Sequence, residues 1–546
     1  NYYAPIDYYN LSKKFGKKEL DSTISKLSTY NLIIIGINKM TSKAGSNFGV
    51  SDETNDLIDS LLIRNNIILT VFGIPYILSD IRNINKATGI IISYQDNKYT
   101  QSLSAQLIFG GIKSKGKLPV SINQFYKIND GLSSSEPSRL KYYIPEGLNI
   151  SSETLSAIDT IALKGIAKKA FPGCQILVVY KGSVIYYKSF GNHTYDKKHP
   201  VLNDDIYDLA SVTKTAATTL AVMKLYDDGL INLDRPLSDY LPILKNSNKE
   251  NLIIRDIMTH QARLMPWIPF YKKTILKNKY IDGIYSKIQS DSFPFKVADS
   301  LFIRKDYRDT IINEIIKSPL NKKAHYLYSD LGFYLLREAI EKITGMKFEE
   351  YLNKTFYKPL GLSTMCFQPY KYYAKDRIPP TENDKEFRNQ LIHSTVHDQG
   401  AAMLGGISGH AGLFSDANDL AILMEMLLKK GTYGGIKYIK EETVNEFTKY
   451  QFPNKNNRRA LGFDKPILKN VKGGPACKNA SQLSFGHTGF TGTMFWVDPR
   501  YELVYVFLSN RVYPDANNTK LADMNIRTDI QQIIYNAILP TNMNNK

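Results

Sequence analysis

Two residues of one short segment, Ser211 and Lys214, have the types and spacing of a nucleophile with an activating partner. They lie in the run YDLASVTKTAATTLAVMKLYDDGL. A serine hydroxyl is a weak nucleophile and needs a base within hydrogen-bond distance. Residues three apart share a helix face, so Lys214 can reach the Oγ atom of Ser211. A serine at the start of this helix would also lie beside main-chain N–H groups that can stabilise an oxyanion.

The same serine–lysine spacing recurs at Ser114–Lys117 and Ser138–Lys141. Neither of these pairs opens an apolar helix, and we interpret both as charged residues of solvated loops. The prediction for Ser211 therefore depends on its helix and on partners elsewhere in the chain.

A second candidate segment is HYLYSDLGFYLLREAI, in which Tyr328 and Asp330 precede a helical pattern. A tyrosine held near Lys214 would lose its proton more readily, because a neighbouring positive charge favours the phenolate. Tyr328 could then act as general base toward Ser211 and return the proton to the leaving group. Alternatively, Tyr328 only packs its ring at the start of that helix.

A third segment, FGHTGFTGTMFWVDP, contains His487, Thr488 and Gly489. Gly489 would let a strand backbone approach a substrate closely. His487 and Thr488 would supply hydrogen bonds to an acyl substrate or to its carboxylate. Alternatively, the segment is an ordinary edge strand with a turn. The presence of all three segments, in suitable predicted elements, favours one shared site.

Composition excludes several other classes of function. The net charge is +18, but the lysines are spread along the whole chain without a basic stripe or nucleic-acid motif, so we expect no nucleic-acid partner. The three cysteines are far apart and the eight histidines form no H-E-x-x-H pair, so we expect no metal site. No apolar run approaches the ~18 residues of a membrane span.

A chain of 546 residues is too long for one core and predicts two or three domains. Residues 1–122 alternate helical patterns with apolar strands, which is typical of a mostly parallel sheet between helices, an α/β sandwich. Residues 110–122 turn on glycines into its last strand. Residues 123–150 are polar and rich in Ser, Gly and Pro, as in a linker.

The remainder predicts an α+β domain, an antiparallel sheet flanked by helices. The strands at 174–180 and 183–190 are joined by a short turn and indicate a hairpin. Strands return at 484–497 and at 503–510. The residues between are mainly helical and include a helical insert at 268–325, on which we expect substrate selectivity to depend. A sheet built from both ends of a domain is an α+β arrangement.

With these motifs in place, residues from about 145 to 540 resemble the serine β-lactamase and penicillin-binding protein superfamily, especially its class C, D-Ala-D-Ala peptidase and esterase branch. The matching motifs are S-x-x-K (Ser211, Lys214), Y-x-N (Tyr328, with Asp330 at the Asn place) and K/H-T-G (His487, Thr488, Gly489). The resemblance implies an acyl-enzyme on Ser211, proton transfer by Lys214 and Tyr328, and an oxyanion hole formed by the N–H groups of Ser211 and Phe490. It implies no metal and no organic cofactor.

Two residues depart from the superfamily pattern. Asp330 cannot donate an amide hydrogen bond, and its negative charge would instead hold the Lys214 ammonium or attract a substrate amine. His487 replaces the lysine common in β-lactamases, as in peptidase and esterase relatives, which weakens the expectation of antibiotic hydrolysis. His397 and Asp398, in VHDQGAA, either line the cleft or are structural loop residues.

The first domain resembles the C-terminal α/β domain of family 3 glycoside hydrolases, especially bacterial β-N-acetylglucosaminidases. The matching stretches are FGIPYILSD (72–80), GIIISYQDNKYTQSLSAQLIFGG (89–111) and GKLPVSI (116–122). In that family a preceding TIM barrel carries the nucleophile. This sequence contains no barrel, so we expect no glycosidase activity and infer a longer fusion in which a glucosaminidase barrel precedes it. The predicted domains are 1–130, a linker at 131–146, and 147–546.

The sequence therefore predicts a serine hydrolase that acts on a small-molecule or muropeptide substrate. The leading hypothesis is cleavage of an amide in peptidoglycan-derived peptides, either D-Ala-D-Ala or the muramoyl–L-alanine link. The alternatives are an esterase on small acyl esters, a weak β-lactamase, and a non-catalytic penicillin- or glycan-binding module with a vestigial serine. A peptidoglycan substrate implies export to the periplasm or cell envelope of a bacterium.

Overall fold

The computed structural model of the chain describes residues 2–11, 16–455, 457–467 and 474–539. These residues form two compact units, 6–142 and 143–539, and residues 2–5 belong to the second. The division after Tyr142 falls within residues 131–146. The assignment of three segments as domain, linker and domain stays a prediction.

The first unit contains three parallel strands in the order β1-β2-β3. Its elements are α1 (Lys17–Leu27), β1 (Ile33–Ile37), α2 (Asp52–Arg64), β2 (Ile67–Val71), β3 (Gly89–Ile92), α3 (Lys98–Ile108) and the short β4 (Lys141–Tyr142). Leu57 and Leu61 of α2 share a core with Ile67 and Leu69 of β2. The description of this region as an α/β sandwich stays a prediction.

The strand predicted within residues 110–122 is wrong, since the structure has no strand there. The main-chain N–H of Leu118 donates to Asp130 O, and that of Ile122 donates to Tyr126 O, so these groups bond to the following loop and not to a sheet. Pro119 has no N–H to donate to a ladder. The segment is therefore a loop whose main chain is hydrogen-bonded to the loop that follows it.

The main sheet of the second unit is antiparallel, and five of its strands follow the order β19-β20-β21-β5-β6. Their bounds are β5 (Gly173–Tyr180), β6 (Ser183–Gly191), β19 (Phe485–Thr488), β20 (Met494–Asp498) and β21 (Leu503–Ser509). The predicted hairpin is confirmed as β5–β6. The single strand predicted at 484–497 is wrong, because a tight turn at residues 489–493 divides it into β19 and β20.

Helices cover both faces of this sheet. The helices α4 (Ser152–Ala167) and α15 (Ile526–Ile538) contribute Ile158 and Ile530 to a core with Val178 and Trp496. Gln175 faces the opposite side of β5, where its Oε1 accepts a hydrogen bond from the N–H of Ala417 at the start of α12 (Ala417–Leu428). Side chains alternate across a strand, so each helix layer packs against its own set of strand residues.

The other helices and short strands lie between β6 and α15. The helices are α5 (Leu220–Asp227), α6 (Ile254–Met258), α7 (Tyr307–Lys317), α8 (Leu331–Thr344), α9 (Phe348–Leu352), α10 (Lys358–Leu360), α11 (Gln399–Met403), α13 (Glu441–Thr448) and α14 (Lys520–Asp523). The strands are β7 (Tyr207–Asp208), β8 (Ile275–Leu276), β9 (Lys279–Tyr280), β10 (Tyr285–Ser286), β11 (Phe295–Ala298), β12 (Leu301–Ile303), β13 (Cys366–Phe367), β14 (Asn383–Asp384), β15 (Gln390–Leu391), β16 (Leu413–Ser415), β17 (Thr432–Tyr433) and β18 (Ile436–Lys437).

The predicted helical character of the insert at 268–325 is wrong. It contains the five short strands β8–β12 and one α-helix, α7. Lys277 and Asn278 both have positive φ, which is the conformation of a two-residue hairpin turn and joins β8 to β9. Within the described ranges, no helix combines the length and apolar character that crossing a bilayer requires.

Candidate active site

Ser211 lies in a single turn of 3-10 helix, Ala210–Val212, at the beginning of a helical run. The next residues, Lys214–Thr219, are wound as π-helix and continue into α5. Lys214 is fully buried, and its Nζ lies 2.9 Å from Ser211 Oγ. The same ammonium donates to the carbonyl oxygen of His410 at 3.1 Å and lies 2.6 Å from Oδ1 of Asp330. The structure thus brings Ser211, Lys214 and Asp330 together.

The surroundings of Lys214 keep it charged. Burial alone would lower its pKa, but the charges and hydrogen bonds of Asp330 and Tyr328 outweigh burial and raise the pKa above its ordinary value. An ammonium group donates hydrogen bonds and cannot take up a proton. Lys214 can therefore polarise the Ser211 hydroxyl. A different side chain must accept the proton of the serine.

Tyr328 is the group best placed for that role. Its ring centroid lies 5.1 Å from Lys214 Nζ, and its ring packs against His260 with the centroids 4.4 Å apart. The loop before α8 is fixed to residues 260–266, since Leu327 N donates to His260 O and Asp330 N to Pro266 O. Tyr328 is thereby held with its ring beside the Lys214 ammonium.

His487 and Thr488 end β19, and Gly489 follows directly after it. A Cβ at Gly489 would lie 2.5 Å from the carbonyl oxygen of Leu209, so only glycine fits where this strand meets the backbone preceding Ser211. His487 is 3% exposed and its ring lies 6.2 Å from that of Tyr328. Burial, with help from the charges of Arg459 and Lys214, lowers the pKa of His487 well below its ordinary value. His487 is therefore neutral and supplies no fixed positive charge.

Phe490 follows this strand and is half-exposed. Its ring is stacked on His397, 5.6 Å between centroids, and the Arg511 guanidinium lies 4.5 Å from its centroid on the ring face. Phe490, Ser211, Tyr328 and Asp330 all line one cleft of about 880 Å³. His487, Thr488 and Gly489 are not among the residues that line it.

Several residues of the site were not predicted from the sequence. The carbonyl oxygen of His410 accepts a hydrogen bond from Lys214. The ring nitrogens of His410 lie 2.8 Å from Asp398 Oδ1 and 2.8 Å from Ser408 Oγ. Burial alone would raise the pKa of Asp398, but the charge and hydrogen bond of His410 bring it below its ordinary value. The stretch LGGISGHAGLFSDANDLA contains His410, but nothing in its spacing indicates a carbonyl partner for Lys214. His397 and Asp398 do line the cleft.

The cleft wall is acidic. Its lining includes the carboxylates of Asp330, Glu382, Asp384, Glu386, Asp398 and Asp515, and a single lysine, Lys385. Lys214 and the buried Arg388 offset Asp330 and Asp384. Over the described residues, no group of three or more His, Cys, Asp or Glu side chains is arranged to hold a metal ion.

Comparisons with known proteins give the family. The β-lactamase family model matches residues 158–526. A protein of Salmonella agona (strain SL483) named "Putative D-alanyl-D-alanine carboxypeptidase" is 32% identical over 408 residues, which cover 69% of this chain and 87% of that protein. These matches confirm the predicted serine β-lactamase and penicillin-binding protein superfamily. They do not test the resemblance of the first unit to glycoside hydrolases.

Solved structures share the fold of the second unit. EstCE1, described as a hydrolase with promiscuous acyltransferase activity, has a TM-score of 0.52 and 17% identity, covering 70% of this chain and 99% of that chain. A penicillin-binding protein homologue from Caulobacter crescentus has a TM-score of 0.51 and 16% identity, covering 71% and 99%. Because the family model matches most of the chain and the relative from Salmonella agona exceeds 30% identity, the chain belongs to the β-lactamase family of serine hydrolases.

Proposed function

We propose that the protein hydrolyses an amide bond in peptidoglycan-derived peptides through an acyl-enzyme on Ser211. The observation that carries the proposal is the contact of the Lys214 ammonium with Ser211 Oγ, 2.9 Å, at the wall of a cleft that Tyr328 also lines. The name of the relative from Salmonella agona supports the substrate class. The two candidate bonds are D-Ala-D-Ala and the muramoyl–L-alanine link.

In the proposed acylation step, Tyr328 takes the proton of Ser211 while Oγ bonds to the substrate carbonyl carbon. The Lys214 ammonium stabilises the phenolate and the developing charge on Oγ. The carbonyl oxygen becomes an oxyanion that accepts hydrogen bonds from the main-chain N–H groups of Ser211 and Phe490. The C–N bond then breaks, and the leaving amine receives the proton from Tyr328.

Deacylation repeats these steps with water as the nucleophile. Tyr328 takes a proton from water, the hydroxide adds to the ester carbonyl, and the Ser211 oxygen leaves with that proton. Asp330 keeps Lys214 charged in both steps, and the neutral His487 supports Tyr328 by packing beside it. Thr488 and Gly489 contribute by holding the end of β19, and with it the turn that carries Phe490, against the serine turn.

Muropeptide digestion followed by mass spectrometry tests the proposal. The wild type should release either D-alanine or a whole stem peptide, and Ser211→Ala should lower turnover by about 10⁴-fold or more while the protein stays folded. A fluorescent penicillin should label the wild type at Ser211. Unchanged muropeptides, or activity that survives Ser211→Ala, would contradict the proposal.

Ser114→Ala is the matched control for this experiment. Ser114 has the same spacing to Lys117 as Ser211 has to Lys214, but it lies in the first unit. The control variant should retain the activity and the penicillin labelling of the wild type. Loss of both in Ser114→Ala would mean that the assignment of the nucleophile is wrong.

A second candidate function is hydrolysis of small acyl esters. Two observations favour it: His487 is neutral where β-lactamases have a lysine, and Lys385 is the single lysine against six carboxylates in the cleft lining. These features provide little positive charge to bind a terminal carboxylate of a substrate. Protein that cleaves p-nitrophenyl acetate through Ser211 but leaves muropeptides intact would establish this function over the first, and no β-lactam turnover would be expected.

Two wider proposals follow from the peptidoglycan substrate. The protein would be exported to the periplasm or cell envelope of its bacterium, and residues 20–130 would represent the C-terminal domain of a family 3 glycoside hydrolase in a longer fusion with a glucosaminidase barrel. Cell fractionation followed by immunoblotting should detect the chain in the periplasmic or envelope fraction, at the mass of the fusion. Detection in the cytoplasm alone would contradict export.

A further inference from the structure

Asp208 is a buried carboxylate between three parts of the cleft. It ends β7, three residues before Ser211, and is 2% exposed. Its Oδ1 accepts the main-chain N–H of Ala210 at 2.8 Å, and its Oδ2 accepts the main-chain N–H of His397 at 2.7 Å. One side chain thus connects the serine turn to the segment carrying His397, which lies 189 residues further along the chain.

The bond to Ala210 controls the residue next to the nucleophile. Ala210 has a φ of +46°, in the left-handed region that L-residues seldom adopt without support. The Asp208 carboxylate stabilises this conformation by accepting the Ala210 N–H. The direction of the following peptide, and therefore of the Ser211 N–H, depends on that turn.

Asp208 also contacts the turn that carries Phe490. Its main-chain carbonyl oxygen accepts Thr491 Oγ1 at 2.7 Å, and the next carbonyl, Leu209 O, accepts Thr493 Oγ1 at 3.0 Å. His397, which is bonded to the carboxylate, stacks on the Phe490 ring. Phe490 is therefore held on one side through Thr491 and on the other through His397.

We propose that Asp208 is a positioning residue that fixes the main-chain N–H groups of Ser211 and Phe490 relative to each other. This inference rests on the proposed function, in which these two groups bind the oxyanion. Oxyanion stabilisation depends on donors that are already in position before the charge develops. Asp208 touches neither the substrate nor the reacting atoms and acts through the two turns.

Asp208→Asn tests the inference with little change of shape. Its amide keeps one acceptor oxygen but presents an NH₂ group to one of the two N–H donors. With p-nitrophenyl acetate we expect kcat to fall about 10- to 100-fold while KM changes less than about threefold. With the matching thionoester, whose sulfur is a larger atom and a weaker acceptor, the loss should be about tenfold smaller. A lower ratio of the kcat for the ester to the kcat for the thionoester indicates an altered oxyanion hole.

Thr491→Val gives an independent variant if Asp208→Asn does not fold. It removes the hydroxyl that bonds to Asp208 O, keeps the branched shape, and should lower the ratio in the same direction by a smaller factor. Asp498→Asn is the matched control: Asp498 is fully buried and also accepts main-chain N–H groups, from Ser481 and Arg500, but belongs to the far end of β20. It should keep the wild-type ratio even if its Tm falls.

The outcomes separate this inference from the function on which it rests. If Asp208→Asn and Thr491→Val fold and keep the wild-type kcat and ratio, Asp208 is not a positioning residue, while Ser211 chemistry stands. If the wild type shows no Ser211-dependent hydrolysis of either ester, the proposed function fails and the inference fails with it.

Discussion

At the scale of single residues, the departure of Asp330 from the superfamily's asparagine has a measurable consequence. The Asp330 carboxylate lies 2.6 Å from Lys214 Nζ and helps raise the pKa of that buried ammonium. Asp330→Asn removes the charge that opposes burial, so burial should lower the pKa of Lys214 in the variant. If the charge on Lys214 is required, ester hydrolysis by the variant should fall off at a lower alkaline pH than hydrolysis by the wild type. A pH–rate profile measures this change.

Asp515→Asn is the control for this profile. Asp515 also lines the cleft, so Asp515→Asn removes the same amount of negative charge from the wall. The ion pair between Asp330 and Lys214 is present in this variant. Its profile should follow that of the wild type at alkaline pH. Alkaline limits that coincide in Asp330→Asn and the wild type would mean that the charge on Lys214 is not required.

The residues that carry the proposed chemistry could be identified from local sequence, but their supports could not. Ser211, Lys214 and Tyr328 lie in short motifs next to predicted helices. Such motifs can be recognised in a single sequence. The carbonyl of His410 and the carboxylate of Asp208 act through contacts with segments about 190 residues away. The positive φ of Ala210 could not be predicted from the residue type, because alanine seldom adopts that conformation.

At the scale of elements, α12 contains a buried acid that makes stability depend on pH. Glu425 is 2% exposed; burial raises its pKa to about 7, opposed by Lys429 and reinforced by Glu502. The folded state therefore holds this proton more tightly than the unfolded state, and stability is lost as pH rises from about 4.5 to 7. Glu425→Gln should raise the free energy of unfolding by about 1 to 3 kcal/mol at pH 8 and by little at pH 5.

Denaturant unfolding followed by tryptophan fluorescence measures this difference in the correct unit. Both tryptophans, Trp267 and Trp496, lie in the second unit, and Trp496 belongs to the sheet on which α12 packs. Glu502→Gln removes a half-exposed neighbouring charge and should change stability by less than about 1 kcal/mol at either pH. An equal gain for Glu425→Gln at pH 5 and pH 8 would contradict the predicted titration.

Regular elements with a strong apolar pattern were predictable, whereas turns and short strands were not. The β5–β6 hairpin follows from two apolar runs around Lys181–Gly182. Gly489 and Gly492 are turn signals, but the β-prone Phe490, Thr491 and Thr493 beside them favoured one continuous strand over the turn that the structure has. In residues 268–325, the strands β8 to β12 are only two to four residues long, which is too short for an alternating pattern to indicate them.

At the scale of the whole molecule, the charge of the cleft opposes the charge of the chain. The protein has a net charge of +18, yet six carboxylates and one lysine line the cleft. Asp330 and Asp384 are offset by Lys214 and Arg388, and Glu382 and Asp398 each lie 2.8 Å from a ring nitrogen of His397 or His410. The negative charge of the wall therefore depends mainly on Glu386 and Asp515. A concave wall of one sign focuses its field and raises the local concentration of oppositely charged ligands. The composition gave the total charge of the chain but could not assign charges to the cleft.

This field predicts a preference that distinguishes substrates with a terminal carboxylate beside the scissile bond from substrates without one. Of two p-nitrophenyl esters of equal length, the one whose acyl chain ends in an ammonium should have a kcat/KM about tenfold above that of the one ending in a carboxylate at low salt. The preference should shrink at about 0.5 M NaCl, because salt screens exposed charges. Glu386→Gln should reduce it, whereas Glu136→Gln, an exposed charge of the first unit, should not.

The opposite preference would be equally informative. A D-Ala-D-Ala peptide ends in a carboxylate, so a protein that favours the anionic ester must bind that group through cations that outweigh the acidic wall. Such a result would contradict the electrostatic argument and favour the carboxypeptidase over the esterase. Preference for the cationic ester would instead favour acyl donors whose scissile bond lies away from a terminal carboxylate, as in the muramoyl–L-alanine link or a neutral ester.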